Sequence, residues 1–150
     1  MNQALDQLFR EGAPNGGRID TFLRDKEFPL VDETGVTVVY RGHADAVRVR
    51  CWISGLEASE SMRPLEGTDL WARTIELPKG SRVEYKLEVQ RGGHKELILD
   101  PLNSVTAEDP FGANSVIQAH GYERPEWSER NPDARSGTIE IHQLHSPIFG

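Results

Sequence analysis

The sequence predicts an all-β protein with an immunoglobulin-like sandwich fold, and three observations support this prediction. Residues 81–89 alternate more regularly than any other stretch, with Val83, Tyr85, Leu87 and Val89 on one face and charged or polar residues between them. Several other short runs share this period of two. Glycine, proline and aspartate residues that favour turns separate the runs at a spacing typical of a sandwich.

The first thirty residues form a predicted helical segment. Two stretches within it repeat apolar residues with the period of a helix, and a Gly- and Pro-containing break at residues 12–17 separates them. The second helix is expected to stop before Phe28-Pro29-Leu30. The apolar stripes are Leu5, Leu8 and Phe9 in the first helix and Ile19, Phe22 and Leu23 in the second.

The sandwich is predicted over residues 31–120, and its first half contains two alternating runs. These runs are Thr34 to Arg41 and Ala46 to Ile53, and the pattern predicts that Gly42 to Asp45 joins them as a hairpin loop. Residues 54–69 are polar and rich in turn-forming residues, apart from one short apolar element.

The second half of the sandwich is predicted to start with a three-stranded antiparallel meander. Its strands are residues 71–77, 81–89 and 96–99, with turn signals between them. Two Asp-Pro turns follow, and residues 113–117 are predicted to form a closing edge strand. This meander contains no catalytic signature.

The composition changes after His120. Residues 121–136 contain two prolines, seven charged side chains and one large apolar residue, Trp127. This pattern predicts a linker on the protein surface, held in place by Trp127. Residues 138–144 then alternate as a strand does, although they follow too late in the chain to look like part of the sandwich.

Charge and cysteine content exclude several functional classes. The chain has 150 residues, enough for one core, and its net charge of −7 argues against a nucleic-acid or anionic-membrane partner. Because Cys51 is the only cysteine, no intrachain disulfide, Cys-rich zinc site or iron–sulfur site can form. We therefore expect no cofactor or metal. The sequence has neither a secretory signal nor a long apolar span, so we expect a cytoplasmic protein.

Four segments, in order along the chain, carry a resemblance to a known family: Gly67–Trp71, Leu77–Lys86, Ile98–Asn103 and Asp109–Val116. They resemble the N-terminal domain of enterochelin esterase and its esterase-like relatives, over roughly residues 32–127. The resemblance implies an early-set immunoglobulin-like sandwich that precedes an α/β-hydrolase domain. In that family the hydrolase domain cleaves ester bonds in ferric catecholate siderophores.

The C-terminal residues resemble the opening strand of that hydrolase. Residues 137–150 are therefore expected to be the start of a hydrolase domain whose remainder is missing from this chain. No Gly-x-Ser-x-Gly elbow occurs in the sequence, so we assign no catalytic residue. His142, His145 and Ser146 are neighbours in sequence, and such neighbours rarely converge into a triad, so we expect the two histidines on a solvated face.

The early-set fold is also similar to the glycogen-binding modules of family 48, which gives a second hypothesis. By strand position, Lys86 and Asn114 correspond to the lysine and asparagine with which those modules bind sugar hydroxyls. The aromatic platform of those modules is missing here, and stacking supplies the larger part of sugar affinity. The alternatives are that Lys86 pairs with Glu84 or Glu88 and that Asn114 stabilises a turn.

A cationic set of residues provides the third candidate site. If strand 46–53 shares a sheet with the central strand, Arg48, Arg50, Arg91 and Lys95 can lie on one outer face. There they would suit an anionic ferric catecholate by charge and by cation–π contact. The alternative is that these side chains simply form the solvated side of a strand.

These observations lead to one interpretation with a named alternative. The chain is interpreted as a non-catalytic N-terminal accessory module of an enterochelin-esterase-like hydrolase that shapes substrate access. Its expected partners are the α/β-hydrolase domain and a ferric catecholate siderophore. The alternative is a glucan-binding module, and the C-terminal tail gives a possible route to a homodimer.

Overall fold

The computed structural model describes residues 2–10, 12–53, 56–129 and 131–148, with only the backbone described for residues 52–53 and 56–58. Two antiparallel sheets stack as a sandwich, two short helices precede them and an extended tail follows, which confirms the predicted fold class. No helix in the described ranges is long and apolar enough to cross a membrane. The elements are α1 (Gln3–Phe9), α2 (Gly16–Asp25), β1 (Leu30–Val31), β2 (Gly35–Arg41), β3 (Ala46–Ile53), β4 (Leu56–Ser61), β5 (Arg63–Pro64), β6 (Leu70–Glu76), β7 (Arg82–Arg91), β8 (His94–Ile98), β9 (Thr106–Asp109) and β10 (Gly112–Gln118).

The strand order places β7 at the centre of the larger sheet. The first sheet has the order β1-β2-β6-β5, and the second has the order β4-β3-β7-β10-β9, with β8 also paired to β7. One edge of β7 pairs with β3, while β10 and β8 pair along the other edge at its two ends. The stretch with the most regular alternation is therefore the strand with the most partners.

The main core lies between the two sheets. The odd-numbered residues of β7, from Val83 to Val89, point into this core, as their alternation predicts. Trp71 is half-buried and packs against the same cluster, and its indole Nε1 donates to the carbonyl of Gly42 at 3.0 Å. Trp71 therefore belongs to the edge of this core.

A second core lies on the other face of the first sheet, where the two helices cover it. Leu5 and Leu8 of α1 and Phe22 of α2 pack with Val39 of β2 and Leu70 of β6. Asparagine side chains cap both helices, because the Asn2 and Asn15 oxygens accept from backbone N–H groups of the first turns. The molecule thus has three layers, and β2 is buried on both faces.

Two predicted strand pairings are wrong. Gly42 to Asp45 does not close a hairpin, because β2 lies in the first sheet and β3 lies in the second. The backbone N–H of Gly42 donates to the carbonyl of Asp69, just before β6, and that of Asp45 donates to the carbonyl of Gln90 in β7, both at 2.8 Å. The predicted meander fails for the same reason, since β6 pairs with β2 and only the β7–β8 hairpin remains.

Two further expectations differ from the structure at the sheet edges. Residues 56–61 form β4, although their polar sequence predicts a loop, because pairing with β3 supplies their backbone hydrogen bonds. Residues 112–118 form β10 as predicted, but β9 covers its outer side and takes the edge position.

The C-terminal tail does not follow the sequence-based expectation. Trp127 lies in a short 3-10 helix, Glu126–Ser128, and is 87% exposed, so the prediction that it holds the linker against the surface is wrong. Residues 138–144 belong to no strand in the part of the chain that the structure describes. Ile139 and Ile141 are 91% and 89% exposed, because no sheet edge lies beside them to bury their side chains.

Candidate functional site

The outer face of the second sheet gathers most of the residues that the sequence singles out. Arg48 lies opposite Glu88 and Arg50 lies opposite Lys86 in the β3–β7 ladder, so all four side chains emerge on the same face. Lys95 lies opposite Gln90 in the β7–β8 ladder and shares that face. The condition set by the sequence, that residues 46–53 pair with the central strand, is met.

Glu88 is the ionic centre of this face. Its carboxylate oxygens lie 4.0 Å from Arg50 Nη1 and 3.7 Å from Lys95 Nζ. The Glu88 side chain is largely buried beneath these more exposed cations. Ion pairs of this kind contribute about 0–1 kcal/mol each, so their main effect is to orient Arg50 and Lys95 rather than to hold the fold.

Lys86 occupies the middle of the face without an acidic partner among the described residues. Glu88 is shared by Arg50 and Lys95, and Glu84 pairs with Arg82 at 3.0 Å. The alternative in which Lys86 neutralises a neighbouring glutamate is therefore not observed. No described carboxylate pairs with its ammonium group, so within this part of the chain Lys86 is open to an anion or a hydroxyl.

Asn114 lies on the same face, in β10, but its amide group is already used. Its Nδ2 donates to Glu84 Oε2 at 3.0 Å and to Asp109 Oδ2 at 3.2 Å, and its side chain is buried. Asp109 also accepts from the backbone N–H of Phe111 in the β9–β10 turn. This arrangement matches the turn-stabilising alternative more closely than a free sugar-binding amide.

The described part of this face is electropositive although the chain is acidic. Among the described side chains, its cations outnumber its carboxylates, and the whole chain carries a net charge of −7. Leu97 of β8 is half-exposed beside these charges. A positive surface with some apolar area suits an anionic ligand with aromatic groups. The cations are Arg48, Arg50, Arg82, Lys86 and Lys95, and the carboxylates are Glu84, Glu88 and Asp109.

Arg91 does not join this face. Its Nε donates to the carbonyl of His43 at 2.9 Å, and its Nη2 donates to the Tyr40 hydroxyl at 2.6 Å. It lies instead beside a cleft of about 420 Å³ at one end of the sandwich, which Trp71 also lines. The period of two gives a signal for this difference, because Arg91 has the same parity as the inward-facing Val89.

The structure also reveals a buried polar network that the sequence interpretation missed. The Tyr85 hydroxyl donates to Asp100 Oδ2 at 2.6 Å, and Asn103 Nδ2 donates to the Val116 carbonyl at 2.8 Å and contacts the Tyr85 oxygen at 3.2 Å. The Ser115 hydroxyl accepts from the Asp100 backbone N–H at 2.8 Å. The Asp-Pro-Leu-Asn segment that carries part of the family resemblance therefore has a structural role.

The remaining candidates do not assemble into a catalytic site. His142 Nε2 lies 3.3 Å from Glu140 Oε2, and both side chains are about three-quarters exposed. Burial raises the pKa of the Cys51 thiol to about 11, which keeps it protonated and weakly nucleophilic. No cluster of His, Cys, Asp or Glu suitable for a metal occurs among the residues that the structure describes. The sequence also predicts that Trp52 is partly exposed, and its side chain lies outside the described residues.

Comparison with known proteins gives a likeness in fold. No protein-family profile and no curated protein match the chain. The enterobactin esterase of Shigella flexneri, solved in the presence of enterobactin, matches 80% of this chain with a TM-score of 0.56 and 19% identity. The ferric enterobactin esterase of Salmonella typhimurium matches 77% of it with a TM-score of 0.56 and 18% identity.

The chain spans about 40% of the length of both esterases. A pullulanase of Bacillus acidopullulyticus matches 63% of this chain and 12% of its own, with a TM-score of 0.50 and 12% identity. The predicted resemblance is thus confirmed at the level of fold: the chain has a β-sandwich fold similar to part of the enterobactin esterases and part of a pullulanase.

Proposed function

We propose that this chain is a non-catalytic accessory module that acts beside an α/β-hydrolase domain of the enterochelin-esterase type. In this proposal its electropositive sheet face attracts an anionic ferric catecholate and so shapes access to the hydrolase. The observation that carries the proposal is the grouping of Arg48, Arg50, Lys86 and Lys95 on one face of an acidic protein.

The chemistry of the ligand supports this choice. A ferric catecholate presents negative charge together with aromatic rings, and guanidinium groups bind both features. Electrostatic attraction of this kind raises the encounter rate and weakens with added salt. We propose the cytoplasm as the compartment in which such a module would work.

The C-terminal tail supports the proposed hydrolase partner. Ile139, Ile141 and Leu144 are almost fully exposed in this chain, and apolar side chains in a row usually become buried in a partner. A neighbouring hydrolase domain would bury them when residues 138–144 pair with its sheet. The domain boundaries at residues 31, 121 and 137 belong to this proposal.

A binding measurement with charge reversal tests the proposed ligand face. Ferric enterobactin is dialysed to equilibrium against the purified chain, and bound ligand is measured by its absorbance. We expect weak binding that Arg50→Glu and Lys86→Glu each reduce at least tenfold. Arg63→Glu, on β5 of the other sheet, is the matched control and should retain binding. No binding by the native chain, or equal loss in the control, contradicts the proposal.

Glucan binding is the second candidate function. It is favoured by the position of Lys86 and Asn114 on neighbouring strands of one face, and by the fold likeness to a pullulanase. The commitment of the Asn114 amide to Glu84 and Asp109 weighs against it. We expect no retardation of the chain in a glycogen affinity gel. A retardation that Lys86→Ala abolishes would reverse the order of the two candidates.

A further inference from the structure

The cleft at one end of the sandwich lies where the loop of residues 42–45 crosses between the two sheets. Its volume is about 420 Å³, within the range of about 300–1,000 Å³ that is typical of small-molecule sites. Pro64 and Trp71 give it apolar surface, and Asp45, Asp69 and Arg91 give it charged groups. None of the residues that line it is among the cations of the electropositive face.

Hydrogen bonds to neighbouring segments fix the Arg91 guanidinium. Its Nε donates to the His43 carbonyl at 2.9 Å, and its Nη2 donates to the Tyr40 hydroxyl at 2.6 Å. The Tyr40 side chain is buried, so this contact is shielded from water. Among the described residues, no group accepts from Nη1. The guanidinium is therefore held in one position with one nitrogen uncommitted, which lowers the entropic cost of binding a ligand.

The Asp45 carboxylate is fixed beside Arg91 in the same way. Its Oδ2 accepts from the backbone N–H of Gly92 at 2.7 Å, and Gly92 follows Arg91 in the chain. Asp45 is also only two residues from His43, whose carbonyl accepts from Arg91. These connections place the two opposite charges within reach of one small ligand. No ion pair joins them to each other in the part of the chain that the structure describes.

Asp69, the second carboxylate of the cleft, already has an ionic partner. Its Oδ2 accepts from Arg41 Nε at 3.0 Å. Asp45 and Arg91 are therefore the two charges of the cleft that have no ionic partner among the described residues. One positive and one negative charge favour neither a polyanion nor a polycation. They are complementary to a small molecule that carries both charges.

Trp71 supplies the apolar contact surface of the same cleft. Its indole Nε1 donates to the Gly42 carbonyl at 3.0 Å, which fixes the orientation of the ring. Aromatic rings bury a large apolar area and pack well against other rings. A ligand with an apolar or aromatic group beside its two charges would use this surface.

We propose that this cleft binds a free α-amino acid with an apolar or aromatic side chain. The ligand ammonium group pairs with Asp45, its carboxylate accepts from Nη1 of Arg91, and its side chain packs against Trp71. A neutral sugar would form hydrogen bonds here but would gain no charge–charge attraction, so the dipolar ligand is favoured. Asp45 and Arg91 are both exposed, so each ion pair contributes little and the binding is weak.

Titration of the full chain with L-phenylalanine and three matched compounds tests this proposal. 3-Phenylpropionate lacks the ammonium group, 2-phenylethylamine lacks the carboxylate, and glucose lacks both charges. Two-dimensional ¹H–¹⁵N NMR spectra follow the Trp71 indole N–H and the Arg91 Nε–H, which lie at the cleft. We expect L-phenylalanine to shift both signals. Each compound with a single charge should bind at least about threefold more weakly, as expected for the loss of one exposed ion pair.

Charge-neutral variants assign each ligand group to one residue. The amide oxygen of Asp45→Asn can still accept from Gly92, so this variant loses the charge and keeps the loop contact. It should no longer distinguish L-phenylalanine from 3-phenylpropionate. Arg91→Gln should no longer distinguish L-phenylalanine from 2-phenylethylamine. Asp25→Asn and Arg24→Gln are the matched controls on exposed residues of α2 that do not line the cleft, and they should keep both preferences.

The four compounds decide the question on the native chain, even where a substitution disturbs the loop. The proposal is overturned if L-phenylalanine shifts neither signal up to its solubility limit. It is also overturned if glucose or either single-charge compound binds as tightly as L-phenylalanine. Native preferences that persist in both Asp45→Asn and Arg91→Gln would exclude these two residues as the ligand's partners and would overturn it as well.

Discussion

Asp100 is a buried carboxyl group that joins three separate segments of the chain. Its side chain accepts from the Tyr85 hydroxyl on β7 and from the Leu102 backbone, while its own N–H reaches Ser115 on β10. Burial and the adjacent Asp100 both raise the pKa of Tyr85, so the phenol remains a donor throughout the stability range. The network therefore binds the segment between β8 and β9 to both β7 and β10.

Removal of the Tyr85 hydroxyl should destabilise the fold. Tyr85→Phe leaves Asp100 Oδ2 without its buried donor, and an unsatisfied buried group costs about 1–3 kcal/mol. Urea denaturation of the variant and the native chain measures the difference. Tyr122→Phe, near the surface, is the matched control and should change stability by less than about 0.5 kcal/mol. Equal effects of the two substitutions would contradict the assigned role of the network.

The stability contribution of Asp100 should depend on pH. Burial raises the pKa of Asp100 above its usual value, and this outweighs the bonds from Tyr85 and the backbone that lower it. Its contribution is therefore complete below about pH 4 and is lost as the pH rises through the raised pKa of the folded state. Denaturation from pH 4 to pH 8 should show the native chain losing stability relative to Asp100→Asn. A constant difference between the two proteins across this range would exclude the shift.

Sequence reasoning at the residue scale succeeds where the signal is local. The period of two places Arg48, Arg50 and Lys86 on the outer face correctly, because parity along a strand needs no information from distant residues. It does not find the role of Asp100, because the groups that bond it, on Tyr85 and Ser115, come from strands fifteen residues away in each direction. A polar network between residues far apart in the chain produces no periodic pattern in the sequence.

The pairing of β2 with β6 requires their backbones to come very close at Gly35. Gly35 begins β2 opposite Glu76, and a Cβ added to it would lie 2.5 Å from the carbonyl oxygen of Ile75. Backbone cannot move aside as a side chain can. The apolar sequence of β2 gives no sign of this contact, because the contact forms only when β6 pairs with β2.

Gly35→Ala should therefore weaken the first sheet. The strands must separate to admit the methyl group, and overpacking of this kind costs about 1–3 kcal/mol. Gly137→Ala is the matched control, since nothing lies within 4 Å of a Cβ at that position. Thermal unfolding of both variants compares them directly. If the two melting temperatures are equal, the close approach at Gly35 is not a constraint.

Element identity was predictable while element pairing was not. The helices and most strands follow from periods of 3.6 and 2 in the sequence. The predicted pairing of β2 with β3 is wrong because the loop of residues 42–45 is compatible with two connections. A four-residue loop with glycine can close a hairpin or cross from one sheet to the other. The consecutive apolar residues Val38 and Val39 carry the missed signal, since a strand buried on both faces loses its alternation.

The three-layer arrangement makes the helical segment part of the folded unit. Without α1 and α2, Val39, Leu70 and Ala72 on the first sheet would face water. The hydrophobic effect acts against exposing such a surface by about 25 cal/mol per Å². The boundary predicted at residue 30 therefore separates types of secondary structure rather than independent cores.

The C-terminal tail, unlike the helical segment, contributes to neither core. Residues 131–148 contribute no member to either core cluster, and their apolar side chains are exposed. Trypsin should therefore cleave early after Arg135 and leave a resistant core that ends near Trp127. The melting temperature of a chain truncated after Ser128 should match that of the full chain at a concentration where both are monomeric.

Deletion of residues 2–29 should lower the melting temperature, in contrast to truncation of the tail. It uncovers the second core, so the remaining sandwich should unfold at a markedly lower temperature or fail to fold at all. Calorimetry of both truncated chains distinguishes the two ends of the molecule. If loss of the tail lowers the melting temperature as much as loss of the helices does, the tail stabilises the sandwich directly. That outcome would also contradict the proposal that the exposed Ile139 and Ile141 become buried against a hydrolase domain.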